Sequence, residues 1–163
     1  IENGSVKMNM TPEIVSDVIC EALAHVRRRK EGHEIRLNID DELLMAWMDA
    51  RLVMQLIVNL VDNAIKYTPA GCHIEIGARR DIKSGRVVIE VADDGPGIEE
   101  KDKPAIFDMF FSGAKTLADS TRSMGIGLYL CKSIAAAHGG ELKMRENKPH
   151  GTIFCFDLKE EKI

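Results

Sequence analysis

The chain has 163 residues, of which 45% are hydrophobic and 29% are charged, and its formal net charge is -4. This length is sufficient for one globular domain that buries roughly two-thirds of its unfolded surface. The negative net charge argues against a non-specific nucleic-acid-binding protein. No stretch approaches the ~18 consecutive apolar residues of a membrane-spanning helix.

The four cysteines, Cys20, Cys72, Cys131 and Cys155, are far apart and form no Cys-x-x-Cys pair. This spacing predicts free thiols in a reduced, cytosolic domain, with neither a zinc site nor a disulfide framework. No signal peptide is visible. The chain begins at Ile1 without an initiator Met, which suggests a piece of a longer protein.

The first part of the chain predicts a polar lead-in over residues 1–10, a helix and a strand. Thr11–Glu13 has the pattern of a helix start, with a hydroxyl cap, a proline in the first turn and an acid near the positive end. Alternating apolar residues predict a strand over 34–39. Gly32 ends the helix, whose apolar stripe is Val15, Val18, Ile19, Ala22 and Val26.

A second helix is predicted from about Asp49 to Tyr67, and Thr68–Gly71 ends it. Two alternating apolar runs, 74–78 and 87–91, then predict an antiparallel hairpin. The core stripe of the second helix has helical spacing: Val53, Leu56, Ile57, Leu60, Val61 and Ala64.

The last part of the chain contains a short aromatic segment, a loop, a helix and a hairpin. Ile106–Phe111 is apolar and aromatic, whereas Ser112–Met124 is polar and lacks periodicity, which predicts a flexible loop. A helix is predicted over Gly127–His138. Residues 141–144 and 152–158 predict the second hairpin.

These elements predict an α/β fold: a two-layer sandwich with a mixed sheet of about five strands and three main helices on one face. We expect one domain over residues 11–160, preceded by the lead-in. The sequence contains no internal repeat and no low-complexity segment.

Four polar residues of the second helix, Asn59, Asn63, Lys66 and Tyr67, fall at i, i+4, i+7 and i+8. This spacing puts them on one face beside the core stripe. A carboxamide oxygen is a neutral hard ligand, and it suits a Mg²⁺ whose other ligands are water and phosphate oxygens. The ammonium can meet phosphate oxygens, and the phenol can pack on a base or ribose. The alternative is an exposed helix end that these side chains only cap and solvate.

Two glycine turns form the other candidate site. In Asp93–Ile98, the Asp93 carboxylate can accept a hydrogen bond from an exocyclic amine, which adenine has and guanine lacks at that ring position. Gly95 and Gly97 let the backbone approach the ring, although a tight turn without a ligand is the alternative. Gly125–Leu128 opens the last helix, where free N–H groups and the positive dipole end can hold a phosphate.

In this order and spacing, the blocks resemble the N, G1, F and G2 boxes of the ATP-binding domain of sensor histidine kinases, a Bergerat-type GHKL fold. Ile106–Phe111 is similar to the F box, and His150–Phe154 is similar to the last glycine motif of the family. Asn59–Thr68 and Asp40–Leu43 look most like Kdp-type potassium or turgor sensor kinases. The resemblance covers about residues 11–158.

The resemblance implies that ATP and Mg²⁺ are the cofactors and that the γ-phosphoryl group is transferred to a histidine elsewhere. It implies that Asn63 binds Mg²⁺, that Asn59 and Lys66 complete the catalytic set, and that Ser112–Met124 is the ATP lid. The implied ATP-binding residues are Asn59, Asn63, Lys66, Tyr67, Asp93, Gly95, Gly97, Ile98, Phe110, Lys115, Arg122, Gly125, Ile126, Gly127, Leu128 and Thr152.

The sequence departs from the family pattern at two positions. Ser112 stands where many members carry Arg after the F box, and Met124 stands where Thr or Gly is usual before the G2 glycine. Both departures affect the expected γ-phosphate contacts. Lys115 and Arg122 are candidate substitutes in the lid.

The resemblance also implies partners and a location. The partners are the histidine-bearing dimerisation domain of the same protein and a downstream response regulator, with no nucleic acid. The location is the cytoplasm, as a domain of a membrane-anchored sensor, and this segment itself contains no membrane span. None of the five histidines has the His-Glu-x-x-Arg setting of a phosphoacceptor.

Two alternative functions remain. The first is a GHKL-type ATPase or serine kinase, but those relatives carry Glu where Asn59 stands, and a neutral amide cannot accept the proton of a water or hydroxyl. The second is a non-catalytic nucleotide-binding module that signals by docking. A phosphotransfer assay distinguishes the second from a kinase.

Overall fold

The computed structural model describes residues 7–26, 32–108 and 127–162. Three α-helices lie in these ranges: α1 (Val15–Val26), α2 (Ala50–Tyr67) and α3 (Gly127–Ala137). The strands are β1 (Thr11–Ile14), β2 (Glu34–Ile39), β3 (Met45–Met48), β4 (His73–Arg80), β5 (Arg86–Asp93), β6 (Lys143–Glu146) and β7 (Thr152–Glu161).

The strands form one mixed sheet in the order β1-β3-β7-β5-β4-β2, and β6 also pairs with β7. Strands β2 and β4 are parallel, whereas the other pairs are antiparallel. The register places Asp93 opposite Ile74 on one side and opposite Thr152 on the other. The end of β5 is therefore enclosed by its two neighbours.

The helices cover one face of this sheet. Residues of β4 and β5 are alternately buried and more exposed, which is the pattern of a sheet with one packed face. Helix α2 packs between α1 and α3, and its predicted core stripe is buried. No helix in the described ranges combines the length and apolar character that crossing a membrane requires.

The predicted fold class is confirmed, but the sheet has seven strands instead of about five. The hairpin of β4 and β5 is confirmed, and β6 begins two residues later than predicted. Strands β1 and β3 were missed because Thr11–Glu13 matches a helix start and Met45–Met48 is apolar throughout, without alternation. The predicted loop Ser112–Met124 lies outside the described residues.

The predicted helix start at Thr11–Glu13 is wrong. These residues belong to β1, which pairs with β3 in the register Thr11↔Met48, and α1 begins only at Val15. The Val15 N–H donates to the Leu44 carbonyl at 2.9 Å. Backbone hydrogen bonds to a strand more than thirty residues away therefore outweigh a local cap pattern.

Helix α2 begins at a buried cap that also holds α3. The Asp49 carboxylate accepts from the Leu52 N–H at 3.3 Å and from the Asn9 N–H at 3.0 Å. The Asp49 N–H donates to Nε2 of His138 at 3.1 Å, and Nδ1 of His138 donates to the Ile134 carbonyl at 2.8 Å. Burial raises the pKa of Asp49, but the donated hydrogen bonds outweigh it, so the pKa lies below its ordinary value.

We predict that Asp49→Ala lowers the free energy of unfolding by about 1–2 kcal/mol at neutral pH, because it removes the helix cap. The folded-state pKa is depressed, so the charge-dependent part of this stability is present above about pH 4 and is lost as the pH falls through the folded-state pKa. Urea unfolding at pH 7 and about pH 3 measures both effects.

Asp49→Asn is the matched control, since it keeps a neutral acceptor at the cap and should lose less stability. A wild-type advantage over Asp49→Ala that stays the same at both pH values would contradict the role of the charge.

Candidate functional site

Asp93, the last residue of β5, is a buried carboxylate with 8% exposure. Its Oδ1 accepts from the Gly95 N–H at 2.9 Å and from the Thr152 N–H at 3.2 Å. In the described part of the chain, the hydrogen bonds to this carboxylate go to Oδ1, so Oδ2 is the oxygen available to a ligand. Burial raises the pKa of Asp93, and the two N–H groups partly oppose that rise.

The neighbouring carboxylate, Asp94, has a different role. It accepts from the backbone N–H of His73 at 2.6 Å and contacts Nδ1 of the same imidazole at 2.8 Å. Burial raises the pKa of Asp94, but these hydrogen bonds outweigh it and hold the pKa below its ordinary value. Asp94 therefore fastens the turn to the start of β4, and Asp93 is the carboxylate of the candidate site.

The turn after β5 lies directly against the end of α2. A Cβ on Gly95 would overlap Cγ2 of Thr68, the residue that caps the C-terminus of α2. The Thr68 hydroxyl donates to the Ala64 carbonyl at 2.7 Å, and Nε2 of buried His33 lies 2.8 Å from that hydroxyl. Because a hydroxyl has only one proton, His33 is the donor in this contact.

A second glycine lets the β6–β7 turn approach from the other side. Gly151 has a φ of +118°, and a Cβ there would overlap the carbonyl of Asp93. A Cβ on Gly97 would lie 3.5 Å from the Gly151 carbonyl oxygen. The Asp93–Gly97 turn is therefore enclosed by backbone on one side and by the end of α2 on the other.

The predicted polar face of α2 extends away from this turn. Asn59, Asn63, Lys66 and Tyr67 are all half-buried, whereas the core stripe is fully buried. The ammonium of Lys66 lies 4.9 Å from the centroid of the Tyr67 ring. At 1.5 Å per residue, Asn59 is about 14 Å along the helix from Thr68. The face thus offers amide groups at one end and an aromatic ring at the other.

Helix α3 meets this face near Asn59. Gly127 and Leu128 form the first turn of α3 and are half-buried. Burial raises the pKa of the Cys131 thiol to about 12, and a hydrogen bond from Asn59 lowers it by a smaller amount. The thiol lies 3.7 Å from the carbonyl of Leu56. The first turns of α3 and the Asn59 end of α2 are therefore adjacent.

The structure thus groups the described site residues along one helix. Gly95 and Gly97 surround Asp93 near the C-terminal end of α2, with Thr152 hydrogen-bonded to it, and half-buried Ile98 follows the turn and packs against the core. The remaining predicted site residues lie outside the described ranges: Phe110, Lys115, Arg122, Gly125 and Ile126.

Sequence reasoning missed the contact of Thr68 with this turn and the contact of His33 with Thr68. His33 is 35 residues from Thr68, and no local pattern connects a histidine before a strand with the end of a later helix. Thr68 was predicted only as part of the segment that ends α2. The close approach of Gly95 is the signal that reveals both contacts in three dimensions.

The described residues fit an adenine nucleotide and a magnesium ion that its phosphates share with the protein. No group of three or more His, Cys, Asp or Glu in the described ranges could hold a metal by itself. The amide oxygen of Asn63 suits a Mg²⁺ whose other ligands are phosphate oxygens and water. The buried Asp93 carboxylate, approached closely by glycine backbone, suits the amine edge of a base.

Residues 48–162 match the model of the family described as histidine kinase-, DNA gyrase B- and HSP90-like ATPases. This range includes α2, the turn after β5, α3 and the start of β7. The chain belongs to this family.

Its relatives include sensor histidine kinases. The sensor protein KdpD of Clostridium acetobutylicum is 38% identical over 160 residues, which is 98% of this chain and 18% of KdpD. The chain therefore spans about a fifth of the length of that relative. The adaptive-response sensory kinase SasA of Synechocystis sp. is 32% identical over 158 residues, covering 96% of this chain and 40% of SasA.

Solved histidine kinases share the fold. The catalytic domain of ThkA superposes with a TM-score of 0.80 at 29% identity, covering 94% of this chain and 97% of that domain. Full-length ShkA in complex with AMPPNP has a TM-score of 0.80 at 25% identity, covering 98% of this chain and 33% of ShkA. ThkA in complex with the response regulator TrrA has a TM-score of 0.75 at 28% identity, covering 93% of this chain and 42% of the ThkA chain. The predicted histidine kinase catalytic domain is confirmed.

We predict that Asp93→Asn raises the free energy of unfolding of the nucleotide-free domain by about 0.5–1 kcal/mol at neutral pH. The amide oxygen still accepts from Gly95 and Thr152, and the buried charge is removed. Because the folded-state pKa of Asp93 is raised, wild-type stability relative to the variant is greatest below about pH 4 and falls as the pH rises through the folded-state pKa.

Denaturant titration of both proteins across this pH range measures the difference. A loss of more than about 1 kcal/mol in the variant at neutral pH would show that the charge itself stabilises the fold.

Proposed function

We propose that this chain is the catalytic domain that holds Mg-ATP for γ-phosphoryl transfer to a histidine on a separate dimerisation domain of the same protein. The observation that carries the proposal is the buried Asp93 carboxylate, held by two N–H groups through Oδ1 with Oδ2 left for a ligand. The membership of the family and the likeness to kinase catalytic domains support it.

The adenine end of the site is the turn after β5. Oδ2 of Asp93 accepts from the exocyclic amine of adenine, and a guanine would present a carbonyl to it at that position. Thr152 begins β7 beside this carboxylate and lines the same end. Tyr67, at the last position of α2, packs against the base or ribose.

The phosphate end is the Asn59 side of α2 and the first turn of α3. Asn63 would hold Mg²⁺ through its neutral amide oxygen, and the ion would neutralise charge on the phosphates. Lys66 contributes a positive charge that can move from the Tyr67 ring to a phosphate. Gly127 and Leu128 begin α3, and their backbone N–H groups face the negatively charged triphosphate.

The domain contributes positioning and charge neutralisation, and the nucleophile comes from the dimerisation domain. Asn59 stands where ATPases of this fold carry Glu, and its neutral amide cannot serve as a general base. That observation favours a kinase over an ATPase of the same fold.

In this proposal a response regulator is the downstream acceptor, and the complex of ThkA with the response regulator TrrA supports such a partner. The likeness to KdpD supports a Kdp-type sensor. The proposed use of ATP supports a cytoplasmic location.

We predict that ADP binds more tightly than GDP and that Asp93→Asn lowers ADP affinity by roughly 1–3 kcal/mol, because a donor then faces the donor amine of adenine. Isothermal titration calorimetry measures both affinities. Equal affinities of the wild-type domain for ADP and GDP would refute the assignment of Asp93.

We predict that Asn63→Ala weakens the binding of ATP in the presence of Mg²⁺ by about tenfold and leaves the binding of metal-free ADP nearly unchanged, because the amide acts on the metal. Titrations with Mg²⁺ and with a chelator compare the two. If both affinities fall equally, Asn63 has a structural role.

We predict that the isolated domain binds ATP but hydrolyses it slowly, because the general-base assistance worth about 10²–10⁴-fold is missing. Incubation with γ-labelled ATP should give acid-labile protein phosphate only after a matching histidine-bearing dimerisation domain is added. Robust phosphate release by the fragment, abolished by Asn59→Ala, would indicate a hydrolase. Nucleotide binding without any transfer would indicate a non-catalytic signalling module.

A further inference from the structure

We propose that Asn147 and His150, in the turn between β6 and β7, are positioning residues that fix the base-recognising carboxylate of Asp93. The inference rests on the proposed adenine site. Neither residue needs to touch the nucleotide, since each acts through the backbone of the turn after β5.

The amide of Asn147 is oriented by its own surroundings. Its Oδ1 accepts from the Lys148 N–H at 2.9 Å, so Nδ2 is the group that faces the turn after β5. Nδ2 donates to the carbonyl of Asp93 at 2.8 Å. The Asn147 N–H also donates to the Gly151 carbonyl at 3.0 Å, which closes the turn around this side chain.

His150 holds the carbonyl of Gly95, two residues further along the same segment. Its Nδ1 lies 3.1 Å from the carbonyl oxygen of Gly95. A carbonyl oxygen only accepts hydrogen bonds, so Nδ1 carries the proton in this contact. The residue is exposed, so a substitution there leaves the buried core intact.

The same turn also contacts Asp93 directly through its backbone. The Thr152 N–H donates to Oδ1 of Asp93, and Gly151 lies so close to the Asp93 carbonyl that a side chain would not fit. The carbonyl of Asp93, its carboxylate and the carbonyl of Gly95 are thus all held by residues 147–152.

This arrangement determines where Oδ2 of Asp93 points. The carbonyl of Asp93 is held by the Asn147 amide, the carbonyl of Gly95 is held by His150, and Oδ1 accepts from two N–H groups, so the second oxygen has little freedom. Hydrogen-bond strength falls steeply with angle and distance, and preorganisation lowers the cost of binding. Loss of either side chain should therefore affect recognition of the base more than binding of the phosphates.

The decisive variant is Asn147→Asp, which has the same shape and keeps the acceptor for Lys148 but puts an acceptor opposite the carbonyl of Asp93. We expect ADP affinity to fall by about tenfold and the preference for ADP over GDP to narrow by a similar factor. The Mg²⁺ dependence of ATP binding should not change.

His150 offers a matched set of variants on the surface. His150→Ala should lower ADP affinity by about threefold. His150→Asn should restore it, because its amide nitrogen lies where Nδ1 was, whereas His150→Gln places its nitrogen further from the backbone and should not. Calorimetry with ADP and GDP, together with thermal unfolding of each nucleotide-free variant, provides the readouts.

The Asp93→Asn background tests whether the two residues act through Asp93. Asn147→Asp should then cause little further loss of ADP affinity, because the interaction that it supports is already gone. If the losses of ADP affinity from Asp93→Asn and Asn147→Asp are additive, the inference is overturned. It is also overturned if the Asn147 and His150 variants lose ADP and GDP affinity equally and in proportion to their loss of thermal stability, because both residues are then only structural.

The two hypotheses fail differently. If the wild-type domain has no preference for ADP, or if Asp93→Asn leaves that preference intact, the proposed adenine site is wrong. If the preference depends on Asp93 but survives both Asn147→Asp and His150→Ala, the adenine site stands and the positioning role is wrong.

Discussion

The antiparallel pairing of β5 with β7 is the constraint on which the site depends. Its register puts Asp93 opposite Thr152, so a backbone N–H of β7 reaches the carboxylate at the end of β5. A buried carboxylate is costly unless it is hydrogen-bonded, and this pairing supplies one of its two donors. Without that register, Asp93 would be an ordinary acid at the end of a strand.

The site concentrates polar groups where the rest of this face of the sheet is apolar. His33, Thr68, Asp93 and Thr152 are among the buried polar residues, and all four lie around the turn after β5. Buried polar groups stabilise a fold less than apolar packing does, and burial raises the pKa of Asp93. Such a cost is typical of a binding site, because the ligand provides the missing partner.

Much of the fold could be predicted from periodicity alone. The core stripe of α2 and the alternation in β4 and β5 gave the correct elements, because burial on one face imposes a period of 3.6 or 2 on the sequence. The strands β1 and β3 could not be found in this way, since β1 overlaps a local helix-start pattern and β3 is apolar throughout, without alternation. The helix-start pattern at Thr11 was misleading because backbone pairing of β1 with β3 outweighs a local cap.

The sequence by itself determined the family and indicated the candidate residues of α2 and the turn after β5, because these depend on residue types at short spacings along one chain. Only the tertiary structure decided which of the two adjacent carboxylates is buried in the site, since Asp94 is taken by His73. It also decided that Asn147 and His150 hold the turn. The contacts of Asn147 with Asp93 and of His150 with Gly95 join residues more than fifty positions apart. They exist only once the strands between them have paired.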